Sequence, residues 1–266
     1  MVTGNDVLSF LNERAPLHFQ MDFDTSGFLV GDRTAPVERV LVALDITEEV
    51  ITEAERFGAQ LIVSHHPLIF HKLSGVIADD PTGAKVMRLV RSGISAICMH
   101  TNLDIAEGGV NDALMQILGA RTETVLEPTG TDTDGQPLGC GRIGSMPQTM
   151  PLQAFLKLVA ERLNVNGLRY VSGGRDVSRI AVCGGSGGSM LELAYEAGCD
   201  TLVTADVKYD RFLTARELGV NLIDADHFCS ENVVIPELAV ALKQRFLDIK
   251  VKISDLKQTV CFYTAQ

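Results

Sequence analysis

The stretch RVLVALDITEEVITEAERFGAQLIVSHHP, residues 39–67, decides the fold, because RIAVCGGSGGSMLELAYEAGCDTLVTADV, residues 179–207, lies on it without a gap. Each opens with a short apolar run (Val40, Leu41 and Val42; Ile180, Ala181 and Val182). Each continues with helical spacing that stops at Gly58 or Gly198, and ends in a second apolar run. Short apolar runs joined by helices are what parallel strands covered on both faces require. The spacing therefore predicts a strand, a helix and a second strand in each half. A third strand follows in each, Arg91 to Ile97 matching Glu217 to Ile223, after helices expected over 83–90 and 208–216.

Working outward, the turn formers of 127–137 (Pro128, Gly130, Asp132, Asp134, Gly135 and Pro137 among them) mark the expected boundary between two similar lobes. The expectation is an α/β chain with mostly parallel sheets and pseudo-repeated βαβ units. The first lobe is 1–127 and the second 128–266, and the C-terminal tail has the option of packing back on the first lobe. Apolar spacing further predicts a helix over 151–163, a tail helix over 233–246, and short strands over 251–253 and 260–263.

A chain of 266 residues with 46% apolar content suits two modest cores. A net charge of -11 with no Lys/Arg-rich block excludes a nucleic-acid surface, since phosphate contacts need basic patches. No run of eighteen apolar residues occurs, and the first residues lack a basic leader, so the expectation is a soluble, cytoplasmic protein without a membrane partner. The six cysteines form no Cys-x-x-Cys pair and read as small buried apolar residues.

The apolar run 61–64 ends in His65-His66, and three further potential metal ligands, Asp104, His227 and Glu231, follow comparable runs. In open parallel sheets functional groups collect beyond the carboxyl ends of strands, and all five residues fall at that station. A helical 227–231 segment puts His227 and Glu231 on one face. Three imidazoles and two carboxylates without a thiolate suit Zn, Mn or Fe, and five side chains are too few to saturate two ions. Each residue alone has a plainer reading as a hydrogen-bonded structural group or a turn former. Their common position favours metal. His100 stands close to Asp104 as a candidate catalytic or supporting group, whereas His18 and His71 have no such company. The turn around Gly185, Ser186 and Gly187 joins a strand to a helix, so its amides are candidates to cradle an anion. Tight packing explains the glycines equally well.

His65-His66-Pro67-Leu68-Ile69-Phe70, His100-Thr101-Asn102-Leu103-Asp104, Gly108-Gly109-Val110-Asn111-Asp112, Cys183-Gly184-Gly185-Ser186-Gly187 and Asp226-His227-Phe228-Cys229-Ser230-Glu231 resemble, in this order, the motifs of the NIF-three-like family. Its bacterial members are commonly called GTP cyclohydrolase 1 type 2 homologues. The resemblance implies two similar α/β lobes, a dinuclear metal site between them, and a homohexamer built as a trimer of dimers. It also implies that His65, His66, Asp104, His227 and Glu231 are the metal ligands. The chain departs from the family where Ala205 and Asp226 replace a common Gly and Asp210 a common His.

The function expected is that of a dinuclear metal-dependent hydrolase, two divalent transition metal ions (Zn, Mn or Fe) activating water toward an anionic, nucleotide-like small molecule. For GTP, as the resemblance implies, the reaction would open the purine's imidazole ring. Asp206, which occupies the repeat position of His66, is the candidate for proton transfer or ligand support. The alternatives are a metal-binding or metal-delivery protein, and a ring-shaped interaction scaffold without turnover.

Overall fold

The computed structural model describes residues 1–131 and 135–256. Along the chain it begins with α1 (Gly4–Arg14), β1 (Gly27–Val30), β2 (Arg39–Ala43), α2 (Glu48–Phe57), β3 (Leu61–Ser64), α3 (Pro81–Arg91), β4 (Ser95–Cys98) and α4 (Thr101–Ile105). It continues with α5 (Val110–Leu118), β5 (Arg121–Thr131), β6 (Pro137–Met150), α6 (Leu152–Leu163), β7 (Arg169–Val171), β8 (Val177–Val182) and α7 (Leu191–Glu196). Last come β9 (Thr201–Thr204), α8 (Tyr209–Leu218), β10 (Asn221–Asp224), α9 (His227–Glu231), α10 (Val234–Arg245) and β11 (Lys250–Ile253). The strand expected over 260–263 lies outside the described residues. Among the described residues no helix is long and apolar enough to cross a membrane.

The described chain forms two compact units, one from Met1–Ala106 together with the stretch from Ile235, the other from Glu107–Val234. The change of unit falls at 106/107, not in the turn-rich segment 127–137. Its described residues include the end of β5 (127–131) and the start of β6 (Pro137), two strands paired antiparallel inside the second unit. Turn formers serve a hairpin as well as a linker, which is why composition alone places the boundary about twenty residues late.

The first unit is a five-stranded sheet in the order β1-β4-β3-β2-β11. Strands β2, β3, β4 and β11 run parallel, and β1 caps one edge antiparallel to β4. Every residue of β3 and β4 is buried, as continuous apolar runs demand. Thr47 caps α2 by accepting from Val50 N, and Gly58 ends it in the left-handed conformation that glycine adopts freely. Asp80 caps α3 in the same manner, with Pro81 at the first helical position. The core joins Leu41, Val50, Ile51, Ala54, Ile62, Leu89 and Ala96.

The second unit is a six-stranded sheet in the order β5-β6-β8-β9-β10-β7. Its parallel centre, β8-β9-β10, is the second copy of the repeated module. The antiparallel β5, β6 and β7 complete the sheet. Phe155 of α6 is fully buried in this unit's core beside Leu114, Val159, Ile180, Val203 and Ile223. The Gly108 to Asp112 motif is structural here. Asp112 accepts two 2.9 Å hydrogen bonds from the buried Arg142 guanidinium and one from Gly108 N. Asn111 Oδ1 accepts from Gly184 N at 2.9 Å.

Candidate metal centre

In the first unit, β3 delivers His65 and His66 just past its last residue. Their backbone is fixed by His66 N donating to Leu44 O (2.9 Å), Cys98 Sγ donating to His65 O (2.9 Å) and Ser64 Oγ donating to His66 O (2.7 Å). His100 follows the neighbouring β4 and stands immediately before α4, which carries Asp104. The rings of His65, His66 and His100 lie 5.0–5.6 Å apart centre to centre. Each offers a ligand nitrogen within 4.8 Å of the others. Asp104 Oδ1 stands 3.7 Å from His65 Nε2. The parallel register of β3 and β4 brings these residues together, because two adjacent strands that end level release their loops to the same side.

In the second unit, β9 ends at Thr204 and β10 at Asp224, and the residues that follow form a second set. His227 and Glu231 share one face of α9, His227 Nε2 lying 3.0 Å from Glu231 Oε2, while Asp206 Oδ2 lies 2.6 Å from His227 Nδ1. Burial alone would lower the His227 pKa. The adjoining carboxylates of Glu231 and Asp206 override it and hold the imidazole at about 9. Asp226, φ 68°, caps α9 by accepting from Cys229 N at 3.0 Å. Glycine adopts such a φ freely. Here an aspartate tolerates the left-handed region and adds a cap.

The four imidazoles share one device. His65 Nδ1 meets Met99 O (2.8 Å), His66 Nδ1 meets Asp45 Oδ1 (2.8 Å), His100 Nδ1 meets Asp24 Oδ1 (2.7 Å), and His227 Nδ1 meets Asp206. A carbonyl or ionised carboxylate takes an N–H from that nitrogen, which fixes the tautomer and makes Nε2 the coordinating atom, as in ligating histidines. Asp24 is buried and also accepts from Thr101 N and Oγ1 and from Ser26 Oγ. Desolvation works to raise its pKa, and the hydrogen bonds from His100 and Thr101 outweigh it, so the carboxyl sits well below its ordinary range. Neither Asp24 nor Asp45 is singled out by sequence reasoning. Asp45 had a signal: it follows β2 at the repeat position of Gly185.

Around Gly185, Ser186 and Gly187 the turn's own amides are largely engaged. Gly184 N is held by Asn111, Gly185 N donates to Ser230 Oγ (3.1 Å), and Gly187 N donates to Thr204 Oγ1 (2.8 Å). A Cβ on Gly185, φ 62°, would land on Glu231 Oε1, with His227 Cε1 3.2 Å away. The missing side chains admit Glu231 and His227 against the turn. An anion cradle built on the Gly185 and Gly187 amides is not supported by this geometry.

Histidines with anchored Nδ1 atoms, set with carboxylates just past strand ends, define an α/β protein of two units whose clusters could hold a metal ion. The chain belongs to the Duf34/NIF3 (NGG1p interacting factor 3) family, whose model matches residues 2–259. It is 35% identical over 242 residues to a GTP cyclohydrolase 1 type 2 homolog of Clostridium perfringens, covering 91% of each chain. With the homolog of the same description in Streptococcus pneumoniae it shares 32% over 247 residues, covering 91% of this chain and 90% of that one. The crystal structure of a Staphylococcus aureus hypothetical protein matches with a TM-score of 0.92 at 29% identity, over 98% of this chain and 99% of that one.

Proposed function

We propose that this chain is a dinuclear metal-dependent hydrolase acting on an anionic, nucleotide-like substrate. The observation that carries this reading is the anchoring of all four imidazoles through Nδ1, an arrangement that readies Nε2 for a metal. His65, His66, Asp104, His227 and Glu231 would hold the ions. Imidazole and carboxylate without thiolate fit Zn, Mn or Fe. Divalent ions held there would supply Lewis acidity, activating water and drawing an anionic substrate to an otherwise acidic protein. Asp206 orients His227, Asp45 orients His66, and the Asp24-His100 pair holds a proton-carrying group beside the ligands. The names of the relatives make GTP the first substrate to test, with ring opening as the reaction. The family resemblance supports a homohexamer, a trimer of dimers, which light scattering would measure. The described cysteines are buried free thiols, in keeping with a cytoplasmic home.

The decisive experiment is elemental analysis of protein purified without an affinity tag, followed by GTP turnover. About two transition-metal ions per chain, with turnover that disappears in a folded Asp104→Ala variant, would bear the proposal out. Two ions without turnover on any nucleotide or phosphoester would mean metal storage or delivery. No metal after reconstitution with Zn, Mn and Fe(II) would overturn the metal reading.

A further inference from the structure

Two phenyl rings stand open beside the imidazole cluster of the first unit. Phe23 is 63% exposed and Phe70 37% exposed, and their centres lie 6.3 Å apart, edge to face. Phe70 continues the contact inward, its ring centre 6.0 Å from that of His100 at 83°. An exposed phenyl on a loose loop would mean little. These two are fixed. Phe23 precedes Asp24, whose carboxylate takes hydrogen bonds from Ser26 and Thr101 besides meeting His100. Phe70 follows Ile69, whose carbonyl accepts from Thr25 Oγ1 at 2.5 Å. One short loop therefore ties together the His100 anchor and both aromatic side chains.

We propose that Phe23 and Phe70 form a stacking wall for the planar heteroaromatic ring of the substrate, placing it against the His65, His66 and His100 cluster. Two features select a ring over a protein partner. Two part-open phenyls present on the order of 200 Å², well short of the roughly 800 Å² each partner contributes to a stable interface. The wall is also continuous, through the Phe70–His100 contact, with the polar groups a substrate must reach. An apolar wall beside a few convergent polar groups is the usual composition of a small-molecule site. The inference rests on the hydrolase reading and names the part of the substrate that the metal ligands do not recognise.

The test compares GTP with inorganic triphosphate by isothermal titration on the full chain, Zn-loaded and metal-free. Guanosine binding is followed by NMR in both forms. The expectation is that GTP binds about tenfold or more tighter than triphosphate, and that the Phe23→Leu/Phe70→Leu double variant removes this difference. That variant should leave triphosphate affinity and metal content unchanged. Leucine keeps the apolar bulk and removes only the aromatic face, and Phe70→Trp should keep or strengthen the preference. Equal affinity for GTP and triphosphate in the wild type, or an undiminished preference in the double variant, would overturn the wall. Failure to load metal would instead overturn the hydrolase reading, since guanosine binding and its loss in the double variant stay measurable without metal.

Discussion

Asp206 and Asp226 hold positive φ values of 51° and 68°, and both follow strand ends next to His227. Such conformations cost a non-glycine residue about 1 kcal/mol or more and persist where the surroundings fix them. Asp206 has a clear return, since its carboxylate orients the His227 ring. Asp206→Asn should therefore leave the fold intact while weakening metal affinity by about 10- to 100-fold, measured by competition with a chelator. An unchanged affinity would remove Asp206 from the site. Gly185→Ala tests the opposite need, for empty space. It places a methyl group on Glu231 Oε1 and forces alanine to φ 62°. The expected result is a loss of more than about 1 kcal/mol in metal-free urea unfolding, together with loss of bound metal. A variant with wild-type stability and metal content would mean that Glu231 does not need this approach.

At the scale of elements, β11 returns to β2 and is clasped from α2. Glu53 lies 2.9 Å from Lys252 Nζ, and accepts from Ser254 Oγ (2.6 Å) and Asp255 N (3.1 Å). Burial pushes the Glu53 carboxyl up. The bonds from Ser254 and Lys252 outweigh this and hold its pKa below the usual value. A carboxyl depressed in the folded state stabilises above its unfolded pKa, near 4.3, and loses that contribution as pH falls through the lower folded value. Glu53→Gln should thus unfold at lower urea than wild type at pH 7, with the gap narrowing below about pH 4. A gap that does not change with pH would show that charge plays no part in the clasp. The repeated parallel strands are legible in the sequence because buried strands require continuous apolar runs. The edges β1 and β7 and the β5–β6 hairpin are not, because antiparallel edges carry mixed burial and turn formers do not declare whether they join strands or units. At the site, the histidines stood out because imidazole at strand ends is chemically unusual. Asp24 and Asp45 did not, since a carboxylate that serves an imidazole 76 or 21 residues away is assigned by folding alone.

For the molecule as a whole, each unit has its own core and its own candidate donors: His65, His66 and Asp104 in one, His227 and Glu231 in the other. Three side chains leave one divalent ion incompletely held, and two leave it barely held. Metal that binds only the folded state adds stability to the unit that holds it, about 2.7 kcal/mol when free metal is a hundredfold above its dissociation constant. Hydrogen exchange with and without Zn reads this directly. In the wild type, metal should slow amide exchange in both α4 and α9. In His227→Ala, the metal protection of α9 should fall, while that of α4, in the other unit, serves as the internal reference. Undiminished metal protection of α9 in that variant would remove His227 from the donor set.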